Sequence, residues 1–382
     1  MSAVAENYPS TPDPAVPSAG PSEAPFPRTR FVLPGRPTAF LRRPVRAVAA
    51  AAIRPAVGRP RLTALPPVRS IVMIAVSGLV IWARPSCSAV PIRCARQAVR
   101  MKEEHVMTET ANTREADLAL KAKHRTMWAL GDYPAIARRV VAGLGPVLVD
   151  ACAVKEGDRV LDVAAGSGNA SIPAALAGGD VVASDLTPEL LAVGRAEAEA
   201  RGAVLSWQEA DAEALPFEDA AFDTVMSCIG VMFAPHHQAA ADELVRVCRA
   251  GGTIGLLSWT PEGFIGRMFA TLKPYAPPPP PGAQPPPLWG KEEHVRALLG
   301  DRVTDVVSRR QSIRVDAFSD PEDFREFFKA AYGPIIAVYR NIGDDTERAA
   351  ALDAALTDLA RDALRDGVSD WEYLLLTARR SD

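Results

Sequence analysis

The hydrophobic pattern of the chain has a distinct character between residues 159 and 260, where short apolar runs alternate with longer stretches of helical period. Apolar runs this short, with few polar positions, are typical of strands buried on both faces of a sheet. Repeated strand–helix units of this kind predict a parallel sheet with right-handed crossovers. The predicted strands are Arg159–Val163, Val181–Asp185, Ala203–Glu209, Phe222–Cys228 and Thr253–Trp259, and the predicted helices are Asn169–Ala177, Pro188–Arg201 and His236–Arg249.

Helical patterns also lie on both sides of this core. Glu115–Trp128 and Tyr133–Val154 predict an α-helical cap before the first strand. The prolines of Ala276–Trp289 exclude a helix or an interior strand there, and predict a semi-rigid lid or, alternatively, a ligand for a polyproline-binding domain. The other predicted helices are Gly263–Tyr275, Lys291–Leu299, Asp320–Ala331 and Thr346–Arg365, and the other strands are Val303–Val315 and Glu372–Ala378.

Residues 1–100 differ in composition from the rest of the chain. They hold fourteen arginines, no lysine and three acidic residues, whereas residues 101–382 hold 29 basic and 43 acidic ones. Proline, alanine and arginine without hydrophobic periodicity cannot bury enough apolar area to offset their ordering entropy, so this segment is predicted to be disordered. Met101 and Met107 are alternative starts, which would place the segment outside the native protein. The predicted divisions are 1–100, the cap 101–158, the core 159–260, and the lid, substrate elements and sheet end 261–382.

One apolar run, Ile71–Ala83, interrupts the first hundred residues. A membrane-spanning helix needs roughly 20 such residues, so the run is too short to cross a bilayer. It resembles the apolar part of a signal peptide, but it lies far from the N-terminus. A membrane role is therefore the minor interpretation, and the cytoplasm is the predicted location because the five cysteines suggest neither a disulfide framework nor a zinc site.

A turn of small residues directly follows the first predicted strand and is the centre of the candidate site. It contains Ala164, Ala165, Gly166, Ser167 and Gly168. Small residues let a ligand approach the backbone, and the helix that follows presents free N–H groups to it. This position at the carboxyl end of a strand is where open α/β sheets bind nucleotides.

Acidic residues occur inside or after the first three predicted strands. Asp162 would be costly to bury without partners, which favours a ligand-site role over an edge acid paired with a base. Asp185 ends the second strand, where a carboxylate can accept hydrogen bonds from both ribose hydroxyls. In the loop after the third strand, Asp211 would accept from the amine of adenine while the Ala212 N–H donates to a ring nitrogen. A solvated acidic loop is an equal alternative for that last pair.

Together these motifs resemble the class I S-adenosylmethionine-dependent methyltransferases, and in particular the small-molecule branch with the ubiquinone and menaquinone C-methyltransferases. The resemblance covers residues 115–260 strongly and 261–380 loosely. It implies a Rossmann-like, doubly wound, mostly parallel seven-stranded sheet with an antiparallel last strand, an α-helical N-terminal cap and a lid insertion. The matching segments are VLDVAAGSGN (160–169), VVASDLTPELL (181–191), EADAEALPFEDAAFDTVMSCIGVMF (209–233) and ELVRVCRAGGTIGLLSW (243–259).

The resemblance also assigns roles to particular residues. The Ala164–Gly168 turn would cradle the methionine moiety of S-adenosylmethionine, with Ala164 standing where the family usually has glycine. Leu186 would pack on the adenine, and Ser227 or Cys228 would line the mouth through which the methyl group passes. Trp128 and Tyr133 would close over the cofactor, with packing inside the cap as an equal alternative.

The methyl group of a sulfonium is already activated, so the protein has mainly to align the acceptor with it and to exclude water. A base is needed only if the acceptor must lose a proton. The catalytic candidates are Cys228, His236 and His237. A histidine pair at a helix start is more often a capping or solvated feature. Further candidate bases are Tyr332, Tyr339 and His124.

Two other function classes remain open on the sequence. One is an NAD(P)-dependent reductase, although Ser171 stands where a full glycine fingerprint needs glycine. The other is a family member that binds the cofactor without catalysis or acts on a macromolecule. The acidic balance of residues 101–382 disfavours a nucleic-acid substrate. No metal is predicted, and the sequence decides neither the acceptor, nor the atom methylated, nor the oligomeric state.

Overall fold

The computed structural model describes residues 115–382 and the backbone of residues 75–76 and 79–80. Ala75–Val76 and Leu79–Val80 are short strands that pair antiparallel with each other. The other residues of the first hundred, and both candidate start residues, lie outside the described part. Among the helices that are described, none is both long enough and apolar enough to cross a membrane.

A seven-stranded sheet organises the region from residue 159 to 380. Its strands are β1 Arg159–Val163, β2 Asp180–Asp185, β3 Ser206–Glu209, β4 Phe222–Cys228, β5 Cys248–Trp259, β6 Val303–Val315 and β7 Ser369–Arg380. They lie in the order β3-β2-β1-β4-β5-β7-β6. The first five pair parallel, while β7 runs antiparallel to both of its neighbours. The predicted doubly wound α/β sheet with an antiparallel last strand is confirmed.

Helices precede the sheet and connect its strands. The first helix, α1, covers residues 115–128. The second predicted cap helix is interrupted, because a π-helical turn, Ala137–Val141, divides it into two short helices. The remaining helices are α2 Tyr133–Ile136, α3 Leu144–Cys152, α4 Ser171–Leu176, α5 Pro188–Ala200, α6 His237–Val247, α7 Phe264–Leu272, α8 Glu292–Leu299, α9 Pro321–Ala331, α10 Gly333–Ile342 and α11 Thr346–Ala363.

The observed elements differ from the predicted ones mainly at glycine and proline. β5 begins at Cys248, five residues before the predicted start, because the chain passes from α6 into extended backbone without a loop. Gly251 supplies the left-handed conformation needed there, with φ of 66°. α10 was not predicted, because its first turn contains Gly333 and Pro334, which read as a break in the sequence.

Aromatic residues of α7, of α9 and of the segment before α9 pack around Trp371 of the sheet. Trp371 on β7 is 1% exposed and stacks on Phe264 of α7 with ring centroids 4.9 Å apart. Phe318, Phe324 and Phe328 surround the same indole at 5.9 to 6.4 Å. This cluster is therefore the packing face of α7 and α9 on the sheet.

Candidate functional site

A cleft of about 940 Å³, counted with its space open to solvent, lies where β1, β2 and β4 end. The cap, the small-residue turn, the start of α5 and the loop after β3 contribute to its walls. Of the predicted site residues, the lining includes Trp128, Tyr133, Ala164, Ala165, Gly166, Ser167, Asp185, Leu186, Asp211, Ala212 and Cys228. Outside the lining lie Asp162, Gly168, Ser227, His236 and His237.

The turn after β1 is tightly constrained by its neighbours. Ala164 and Gly166 both adopt left-handed backbone, with φ of 55° and 57°. Gly230, after β4, approaches so closely that a Cβ there would lie 1.9 Å from the Ala164 carbonyl oxygen. Gly168 also has a positive φ, and a Cβ on it would meet Trp207 at 2.8 Å. Gly168 therefore serves the packing of the turn on β3, and the turn itself faces the cleft through Ala164–Ser167.

Asp185 closes the floor of the cleft beside this turn. Its two carboxylate oxygens each accept one backbone N–H, from Gly166 and from Thr187, both at 2.8 Å. Burial raises the pKa of Asp185, and these hydrogen bonds oppose that rise by stabilising the charged form. Since each carboxylate oxygen offers two acceptor positions, Asp185 keeps capacity for two further donors.

Asp162 lies one layer below the cleft, inside β1. It is 1% exposed, and its Oδ2 accepts a hydrogen bond from the Ser171 hydroxyl at 2.6 Å. Its Oδ1 has no hydrogen-bond partner among the described residues. Burial, helped by the nearby charge of Asp185, raises the pKa of Asp162 to about 7. Because the raised pKa favours the neutral carboxyl, it lowers the cost of burying this oxygen without a partner.

Three aromatic side chains form the wall opposite the sheet. Trp128 of α1 contacts Tyr133 and Phe233 edge-on, with centroids 5.7 and 4.7 Å apart. Tyr133 lies over the small-residue turn, where its Cε1 is 3.5 Å from the Cβ position of Gly166. Burial raises the pKa of Tyr133, so its hydroxyl stays protonated. Phe233, from the segment after β4, was not singled out by the sequence.

Cys228, at the end of β4, is the catalytic candidate that lines the cleft. Burial raises the pKa of its thiol, which therefore remains protonated and is no base. The Ser227 hydroxyl is fully buried, donates to the Val163 carbonyl at 2.6 Å and accepts from the Val231 N–H. Ser227 thus joins β1 to the segment after β4, although the resemblance placed it at the mouth.

The two histidines after β4 do not face the cleft. His236 is held by Glu213, which accepts from its backbone N–H at 2.6 Å and lies 2.8 Å from Nδ1. His237 is fully buried, with Nδ1 2.9 Å from His294 Nε2. Burial lowers the pKa of His237 to about 4. His124, by contrast, lines the cleft, and burial lowers its pKa as well.

Two features of the lining had no signal in the sequence motifs. Ile229 follows β4 with φ of 69°, which is unusual for a β-branched residue and turns the chain toward the Ala164 turn. Lys121 of α1 reaches the acidic loop after β3 from the cap. In the sequence, these cap residues are related only by the helical period of α1, which places Lys121, His124 and Trp128 on one face.

Comparison with known proteins gives a family that agrees with this fold. A family model described as a methyltransferase domain matches residues 160–252, from β1 into β5. The small-residue turn and Asp185 at the tip of β2 both fall within this match.

Relatives identify the family. An uncharacterized protein of Mycobacterium tuberculosis is 57% identical over 257 residues, covering 67% of this chain and 94% of its own length. Demethylmenaquinone methyltransferase of Thermus thermophilus is 38% identical over 125 residues, 32% of this chain and 57% of the relative. A putative methyltransferase structure from Bacillus halodurans has a TM-score of 0.43 at 23% identity, covering 62% of this chain and 99% of its own. The chain belongs to the class I S-adenosylmethionine-dependent methyltransferases and is a methyltransferase that uses this cofactor.

Proposed function

We propose that the protein methylates a small-molecule acceptor, and that the cleft at the ends of β1, β2 and β4 holds both cofactor and acceptor. The observation that carries the assignment of the site is Asp185, a buried carboxylate with acceptor capacity left, beside a turn of small residues. Class membership alone does not locate the site or limit the size of the acceptor.

The residues present fit S-adenosylmethionine along the whole cleft. Asp185 would accept from the ribose hydroxyls, and Leu186 would pack on the adenine. The Ala164–Ser167 turn would cradle the methionyl part. Asp211 and the Ala212 N–H, both in the lining, would read the edge of the adenine.

The acceptor would enter at the aromatic end of the cleft. When bound, the cofactor supplies an activated methyl group, so the protein has to align the acceptor and exclude water. Trp128, Tyr133 and Phe233 provide an apolar wall for this purpose. Cys228 and Tyr133, which are both protonated, can donate a hydrogen bond to an acceptor atom but cannot remove a proton from it.

A small molecule fits this geometry better than a macromolecule does. Helix α1 and the segment after β4 cover the aromatic end, where Trp128 and Phe233 are in contact. The proline-rich lid adds to the rim, since the Gln284 N–H donates to the carbonyl of Pro235, a lining residue. The Thermus thermophilus relative is by name a methyltransferase of a small quinone precursor, which supports the same class of acceptor.

Calorimetric titration of the full chain with S-adenosylmethionine, and separately with NADPH, tests the proposal. We expect Asp185→Asn to weaken S-adenosylmethionine binding at least tenfold, because the amide loses one acceptor and turns a donor toward backbone N–H groups. Asp180→Asn, at the exposed start of the same strand, is the matched control and should bind like the wild type. Binding of NADPH instead of S-adenosylmethionine, or full affinity in a folded Asp185→Asn variant, would refute the assignment.

The acceptor itself can be identified by transfer of an isotopically labelled methyl group. The protein is incubated with metabolite extracts and with cofactor carrying an isotopically labelled methyl group, and new labelled products are identified by mass spectrometry. We expect products of small-molecule size. Label that appears only in protein or nucleic acid would overturn the small-molecule proposal.

A further inference from the structure

Lys121 lies at the centre of a charged cluster on the rim of the cleft. Its ammonium group is 2.8 Å from Asp117 of its own helix, 2.5 Å from Asp211 and 2.9 Å from Glu213. The side chains of Lys121 and Glu213 are only 11% and 4% exposed. These contacts connect α1 with the loop after β3, which is about 90 residues away along the chain.

The burial of this cluster separates it from ordinary surface ion pairs. Exposed pairs contribute little because water and salt screen them, whereas a partly buried charge left without its partner is costly. Burial alone would lower the pKa of Lys121, but the three carboxylates raise it, so the ammonium stays charged. Asp117, Glu213 and His236 have a spacing that a metal ion could use, but the Lys121 ammonium already lies among these carboxylates.

Asp211 is held in one orientation by these contacts. Its Oδ2 faces Lys121, while its Oδ1 accepts the Glu213 N–H at 3.0 Å. Both Asp211 and Lys121 line the cleft. Without the ammonium, Asp117, Asp211 and Glu213 would be three carboxylates in one small region, and their mutual repulsion would move the loop.

The other end of α1 is fixed independently of Lys121. The Asp132 N–H, just after the helix, donates to the Ala331 carbonyl between α9 and α10 at 3.1 Å. There is no room for a side chain at Gly333, whose Cβ position is 2.2 Å from the Met127 carbonyl oxygen. The C-terminal end of α1 would therefore stay in place when the Lys121 contacts are lost, and the Arg125 ion pair with Glu209 at 2.8 Å would remain.

We propose that Lys121 is a positioning residue for the adenosyl half of the site: it fixes the Asp211 carboxylate for the adenine amine. This inference rests on the proposed function, in which Asp211 reads the adenine. It adds that the adenine is recognised by the core and the cap together, through one lysine.

The test measures binding of S-adenosylhomocysteine and of S-inosylhomocysteine, which has an oxygen in place of the adenine amine, to the full chain by calorimetry. Lys121→Met keeps the length of the side chain and removes the charge. Lys123→Met, at an exposed position of the same helix, is the matched control. Thermal unfolding of each variant establishes that it is folded.

We expect Lys121→Met to weaken binding of S-adenosylhomocysteine at least tenfold and binding of S-inosylhomocysteine less than threefold. Lys123→Met should change the binding of neither ligand. Selectivity for the adenine amine is the readout that a purely structural role would not change. In the Asp211→Asn background, Lys121→Met should cost less than threefold, because the carboxylate that it positions is gone. An unchanged affinity, or an equal loss for both ligands, would overturn the proposal. Failure of the wild type to bind S-adenosylhomocysteine would instead refute the proposed function.

Discussion

The buried carboxylate of Asp162 predicts an unusual dependence of stability on pH. Its pKa of about 7 in the folded chain stands against an ordinary 3.8. Between these values the unfolded chain releases a proton that the folded chain retains, so the free energy of unfolding decreases as the pH rises from about 4 to about 7. The loss is complete above pH 7. A difference of about 3 in pKa corresponds to at most about 4 kcal/mol.

Asp162→Asn removes this titration and keeps the acceptor for the Ser171 hydroxyl. The amide adds a donor where Oδ1 has no partner among the described residues, at a cost of about 1–3 kcal/mol. We therefore expect the ligand-free variant to be more stable than the wild type by about 1–3 kcal/mol at pH 8. At pH 5 the wild-type carboxyl is protonated, and the variant should be equally stable or less stable.

Urea unfolding at pH 5, 6, 7 and 8, monitored by circular dichroism, measures how the free energy of unfolding depends on pH in the wild type and in Asp162→Asn. Asp180→Asn is the control, because this exposed residue on the neighbouring strand should leave the pH dependence unchanged. If the wild type and Asp162→Asn lost stability equally between pH 5 and pH 8, the carboxyl would titrate normally. The inference that burial raises the pKa of Asp162 to about 7 would then be wrong.

Two further predictions concern the turn and the N-terminal segment. Ala164→Gly should stabilise the fold by about 0.5–1 kcal/mol in urea unfolding, because relief of left-handed strain outweighs the entropy of glycine. Ala165→Gly, at the next position, should instead destabilise the fold. If both changes stabilised it, backbone strain at Ala164 would not be the cause. Deleting residues 1–100 should shift the melting temperature by less than about 2 °C, since that segment is predicted to add no packing; a larger drop would show that it belongs to the folded unit.

The sheet and its glycine turn could be predicted from the sequence because their signals are local. Strands buried on both faces appear as short apolar runs, and β1 and β4 have the predicted bounds. Polar residues at strand ends, such as Asp185, stand out against those runs. In a parallel sheet they share one edge, so their proximity follows from the topology alone.

The residues whose places in the structure were not predicted depend on contacts between distant segments. The polar partners of Ser227 are Val163 and Val231, and a buried serine that joins two segments has the same local pattern as one facing a ligand. His236 and His237 likewise follow a strand, but the rotation of α6 turns them toward Glu213 and His294. The period of that helix does not reveal which groups each of its faces contacts.

Lys121 shows why the cap is the least predictable part of the site. The core supplies the strand ends, whose order is fixed by the sheet, whereas α1 precedes the sheet and can be placed only by its contacts. Those contacts include an ion-pair cluster with Asp211 and Glu213 and an aromatic contact between Trp128 and Phe233. The first lies at the proposed adenosyl end and the second at the proposed acceptor end. One helix thus takes part in both halves of the site, so substitutions on its inner face should change cofactor binding and acceptor choice together, while those on its outer face should change neither.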